Sequence, residues 1–232
     1  MRESQVDGME DRSEPMIRAR ARPSSLHFDL IAEVALEVLR SEGPNGLSLR
    51  RVAEQLDTNH VALYRRCGSI DGLLDLCADY VAAGFPSVPD NVDWAVATQT
   101  RFENLYDIWA AHADLIVLMR GRAWMGINMV SRFYEPALRG MMSSGLTIHE
   151  SAKLFSMLYR LTIGSIIATR ANQWSPLVGR QALNKLGLER FPTLQAMIEN
   201  DADDADARSS FRDALQRLIV DFASRNFGTG RS

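Results

Sequence analysis

Residues 47–74, LSLRRVAEQLDTNHVALYRRCGSIDGLL, constrain the chain more than any other stretch. Ser48 can cap a helix, because its hydroxyl can accept from an unpaired first-turn amide. Leu49, Val52, Ala53 and Leu56 follow at spacings of three and four, which makes one apolar stripe. Arg50, Arg51, Glu54 and Gln55 fall largely on the opposite side. Asp57 is a turn residue that tolerates the left-handed region. Asn59 is an N-cap for a second helix in which Leu63 points inward and His60, Val61, Ala62, Tyr64, Arg65 and Arg66 face outward or sideways. Gly68 and Ser69 end that helix. The reading is a helix, a tight turn and a short second helix.

These residue types suit a helix that enters the DNA major groove. Such a helix meets base edges mainly with its N-terminal residues. Asn59 and His60 can hydrogen-bond base edges, and Val61 and Ala62 can touch a thymine methyl. Tyr64, Arg65 and Arg66 suit phosphates, which position a helix without reading sequence. Ser48 and the amides beside it offer another phosphate site. Between residues 43 and 70, four arginines (Arg50 among them) face Glu54 and Asp57, a local charge of about +2. The competing reading is a plain core hairpin whose arginines are solvated charges.

The segment resembles the N-terminal domain of the TetR family of transcriptional repressors over residues 24–84. The match lies in a preceding long helix (25–41), the Leu-Arg-Arg-Val-Ala-x-x-Leu run at 49–56, Ala-Leu-Tyr at 62–64, and Leu73-Leu74 in a following connecting helix. The resemblance implies that residues 59–65 form the recognition helix and that Tyr64 contacts a phosphate. The chain departs from the family pattern at Asp57, Thr58, Cys67 and Ile70. More weakly, the region after Asp93 is similar to the effector domain of the tetracycline-repressor branch. That likeness rests on Asp93-Trp94, His112, Ser144-Gly145-Leu146 and Gly164. The resemblance implies a dimer.

The 232 residues, 46% hydrophobic, suit one or two domains with a sizeable core. A net charge of −3 does not exclude DNA binding, because steering depends on where positive charge sits. Cys67 and Cys77 show no metal-ligand pattern, so a reduced cytoplasmic protein without metal or cofactor is expected, with a redox switch as the alternative. No apolar run is long enough to span a bilayer, and no signal peptide is expected.

The chain divides into a polar arm (1–23, with Arg18, Arg20 and Arg22), a helix-turn-helix domain with its connecting helix (24–84), and a larger helical domain (90–228). The arm is either a minor-groove contact or a solubilising tail. The expected fold is all-α. Ser24 or Ser25 should cap the first helix, whose buried stripe is Phe28, Ile31, Ala32, Ala35, Leu36 and Leu39. Later helices are expected at 71–84, 93–113, 115–120, 126–143, 147–170, 176–188 and 209–226. Pro136 should kink its helix or mark a start. Thr147 and Glu150 should form a capping box. The span 154–168 is apolar on nearly every side, which implies burial all round. The acidic residues 199–206 read as a solvated loop, not a calcium site.

Two copies packed through the helices at 147–170 and 209–226 would make a four-helix interface and present two recognition helices to a palindromic operator. Trp109, Met119, Trp124, Met125, Met129, Phe133, Phe155 and Tyr159, with His112 and Asn128 as polar anchors, are candidates to line an apolar effector pocket. Each is equally a core residue by type. The expected function is a ligand-released repressor. The alternatives are a ligand-independent DNA-binding dimer and a helical enzyme, although the chain shows no phosphate loop, nucleophile elbow or metal-spaced histidines.

Overall fold

The computed structural model describes residues 27–89, 91–119, 125–170, 185, 187, 190–200 and 207–227. The described residues are helices and their connections, with no strand among them. The first four helices are α1 (Phe28–Glu42), α2 (Leu49–Gln55), α3 (His60–Cys67) and α4 (Ile70–Ala83). Each boundary has a local cause. Ser48 accepts from the Arg51 amide, Asn59 from the Val61 amide and Ser69 from the Gly72 amide. Asp57 turns the chain between α2 and α3 at φ 48°, and Gly68 ends α3 at φ 73°, where a side chain would be strained.

The start of α1 differs from expectation. His27 precedes the helix without a side-chain cap, and Ser24 and Ser25 lie outside the described residues. Phe28 is not in the stripe. It sits in the exposed first turn, where the Arg66 guanidinium lies 5.5 Å from its ring centre. The buried face of α1 is Ile31, Ala32, Ala35, Val38 and Leu39, packed on α4.

The larger bundle begins after a non-helical link in which Phe85 is buried. Asp93 caps α5 (Trp94–Ala110), accepting from the amides of Ala95 and Val96. A short α6 (Ala113–Met119) follows. One continuous rod, α7 (127–143), is α-helical at Ile127–Met129, π-helical at Val130–Tyr134 and α-helical again at Glu135–Ser143. Pro136 does not break the rod, but it marks the start of an α-helical segment within it. It sits in the first turn of the resumed α-helix, and the wider π-turn occupies the residues whose carbonyls its missing N–H cannot serve.

The Thr147–Glu150 box forms in both directions: the Glu150 amide donates to Thr147 Oγ1 at 3.3 Å, and the Thr147 amide to Glu150 Oε2 at 2.7 Å. It opens α8 (Ile148–Arg170). A helix not anticipated from sequence, α9 (Pro192–Asn200), overlaps the expected acidic loop only at Glu199 and Asn200, and α10 is Ala207–Phe227. The segment 176–188 falls almost wholly outside the described residues. Rings tie the bundle together: Tyr106 of α5 stacks on Phe211 of α10 at 4.4 Å.

Burial all round α8 is not what a single chain achieves. Leu154, Leu158, Thr162 and Ile166 are buried, while Ile148, Gly164 and Ile167 remain exposed. The Ser151 hydroxyl is buried on this helix without a hydrogen-bond partner among the described residues.

Candidate DNA-reading surface and effector pocket

Leu63 anchors α3 with no exposed surface, and that single contact turns its neighbours outward. Tyr64 is 58% exposed and Val61 43%; His60, Arg65 and Arg66 are also exposed, while Ala62 is half-buried. Asn59 is at the leading end, but its Oδ1 is occupied by the Val61 amide at 2.8 Å. Its amide nitrogen is therefore the group suited to a base edge. Arg50 pairs with Glu54 at 3.1 Å, and Arg51 bridges Glu42 at 2.6 Å and Glu54 at 3.5 Å. Arg51 consequently staples α2 to the end of α1. Among the described residues Arg65 and Arg66 have no ion-pair partner, Arg66 lying over the Phe28 ring, so the cationic face is carried more by them than by the α2 pair. Both thiols behind this surface are held up by burial, Cys77 to about 12 with help from nearby Cys67, so neither is a ready thiolate.

Between α5, α7 and α8 lies a knot of aromatic rings. Phe133 meets Phe102 at 5.2 Å, Phe85 at 5.8 Å and Phe155 at 5.8 Å. Phe155 stacks with Tyr159 at 6.0 Å and 13°. Tyr134, absent from the sequence-derived set, touches Phe155 at 5.5 Å, and its hydroxyl lies 3.4 Å from that of Tyr159. Burial, with Tyr159 beside it, pushes the Tyr134 phenol well above its ordinary range. Consecutive residues of a regular helix point about 100° apart. Phe133 and Tyr134 both reach Phe155 from within the π-turn, a register that periodicity alone cannot reveal.

The remaining candidates scatter. Trp109, Met119 and Met129 are buried, whereas Met125 is 74% exposed. Trp124 lies outside the described residues. His112 is away from the rings, in a cleft of about 200 Å³ where Leu36, Leu39 and Arg40 of α1 meet the α5–α6 link and Arg170. Burial lowers its pKa. Arg170 pairs there with Asp114 at 2.7 Å. Asn128 is engaged with Asp79 of α4, its amide nitrogen 3.0 Å from Oδ2. A second cleft, of about 500 Å³, lies between α5 and α7 beside Arg101 and Arg139 and contains none of the candidates.

A family model described as tetracyclin repressor-like, C-terminal domain, matches residues 85–221. The chain belongs to the TetR family. A curated relative, the HTH-type transcriptional repressor DrrR1 of Streptomyces coeruleorubidus, is 28% identical over 149 residues, 63% of this chain and 55% of that protein. The chain thus matches about half the length of that relative. Apo ActR from Streptomyces coelicolor superposes with a TM-score of 0.71 at 27% identity, over 87% of this chain and 98% of ActR. ActR in complex with actinorhodin gives 0.72 at 26% identity, over 90% and 99%. The TetR family is one of transcriptional regulators, so the enzyme alternative falls away. No helix among the described residues is long and apolar enough to cross a membrane, and no metal-binding group is found among them.

Proposed function

We propose that the protein is a homodimeric, sequence-specific DNA-binding repressor, released from a palindromic operator by a small, largely apolar ligand. The observation that carries this reading is the outward display of His60, Val61, Tyr64, Arg65 and Arg66 from a helix anchored by one buried leucine. Asn59, His60, Val61 and Ala62 read bases; Tyr64, Arg65, Arg66, Arg50 and the α2 start at Ser48 hold phosphates. Residues 24–84 form the reading domain and residues 90–228 the ligand and dimer domain, acting in the cytoplasm.

The dimer uses α8 and α10. Their exposed Ile148, Ile167 and Val220, with Gly164 leaving open space, are what a second copy would cover. The ligand occupies the aromatic region of Phe133, Phe155 and Tyr159, together with the buried Trp109, Met119 and Met129. That ActR is seen with actinorhodin supports a small-molecule ligand for a chain of this fold. The reading is tested by fluorescence anisotropy on DNA flanking the protein's own gene, against a scrambled duplex, at several salt concentrations. Tight binding that prefers the native duplex is expected. Absence of binding at low salt would refute it.

A further inference from the structure

Helix α4 is held on two sides. Toward the reading unit, Leu73, Leu74, Cys77 and Ala78 are buried, and the Cys77 thiol lies 3.9 Å from the Ala32 carbonyl of α1. Toward the larger bundle, Asp79 meets the start of α7. Its Oδ1 accepts from the Asn128 backbone N–H at 2.9 Å. Its Oδ2 accepts from Asn128 Nδ2 at 3.0 Å, and its carbonyl oxygen lies 3.3 Å from the same nitrogen. Gly126 makes room for this grip: a Cβ there would overlap the Asp79 carboxylate and stand 2.9 Å from its Cβ. The φ of Gly126 is −67°, which any residue adopts, so close approach and not backbone freedom is what glycine supplies. Among the described residues Asp79 has no ion-pair partner. Its charge is satisfied by Asn128, through charge-assisted bonds.

We propose that Asp79 is the positioning residue of the regulatory step, fixing α4 to residues 126–128. This rests on the ligand-released reading given above. Asn128 lies in the first turn of the same rod that carries Met129, Phe133 and Tyr134. An occupant that displaces those rings displaces Asn128, and Asp79 passes the shift to α4. Because α4 is packed tightly on α1 and against α3, it moves the recognition helix with it. Coupling follows because the grip is made in one arrangement of the two units and lost in the other.

The test is hydrogen exchange by mass spectrometry on the full-length protein. It needs neither DNA nor ligand, so its failure is distinct from failure of the repressor reading. Asn128→Asp sets two carboxylates against each other. Gly126→Ala drives the Asp79 carboxylate away by overlap. Each is expected to speed exchange about tenfold across residues 60–83, the order that loss of a hydrogen bond to a charged group produces, with residues 94–110 and 207–227 unchanged. The swap Asp79→Asn with Asn128→Asp restores a donor–acceptor pair and should recover at least part of the protection. Faster exchange confined to residues 125–130 would overturn the proposal, because the contact would then be local. So would loosening spread over 148–170 and 207–227 that the swap does not recover.

Discussion

The reading unit and the larger bundle are both helical, yet they are built from opposite resources. In α1–α4 the boundaries are set by neighbours in sequence: Ser48, Asn59 and Ser69 each cap the helix that follows, and Asp57 and Gly68 supply the turns. The functional face is what remains after Leu63 has been buried. Around α5–α10 the candidate ligand region is a packed cluster of rings far apart in sequence, Phe85, Phe102, Phe133 and Phe155. The same interactions that would shape a ligand site there also hold the bundle together. Recognition of DNA can therefore be altered with little loss of stability, whereas the pocket cannot be altered without some.

The widest separation between the two regions should come from Phe133→Ala. Removing a ring that is 2% exposed should cost about 3–5 kcal/mol in denaturant unfolding. A loss below about 1 kcal/mol would mean that the cluster is loosely packed and the contrast false. Next come surface changes in α3. His60→Ala is expected to cost roughly 1–3 kcal/mol on the preferred DNA and little on scrambled DNA. Arg65→Ala and Arg66→Ala should weaken binding to every sequence and each reduce the salt slope by about 1. Indistinguishable effects of the two classes in a salt titration would break the division of roles.

Smaller effects sharpen the comparison. Ser48→Ala and Asp93→Ala remove equivalent caps from the two regions, and each should cost about 1 kcal/mol by chemical denaturation. Only Ser48→Ala should also weaken DNA binding. The smallest effect concerns His112 at the seam of the two units, beside Arg40, Asp114 and Arg170. Burial lowers its pKa from the usual 6.5. The unfolded chain therefore takes up this proton first as pH falls, so stability is lost below 6.5 and regained above it. Between about pH 7.5 and about pH 5.5, Tm should fall more for the wild type than for His112→Asn. Equal falls would show that the seam leaves His112 untouched.

What was legible in the sequence follows the same divide. The caps at Ser48, Asn59 and Thr147, the turn at Asp57 and the outward set on α3 were readable because each is decided within four residues. Phe28 was misplaced because apolar spacing does not say where a first turn is left uncovered. Tyr134 was missed because the π-turn shifts the helical register. Asp79 was missed because its role depends on Asn128, nearly fifty residues later, and on the space left by Gly126. The unburied face of α8 was legible as an excess of apolar residues, but not as a face distinct from the one packed on α5 and α10.

The most direct measurement is selection of bound duplexes from a random DNA library by the purified full-length protein. Enrichment of an inverted repeat, with half-sites about one helical turn or a multiple of it apart, is the expected result, and His60→Ala should change the enriched half-site. Recovery of duplexes with no common sequence would contradict the central claim that α3 reads bases as one half of a symmetric pair.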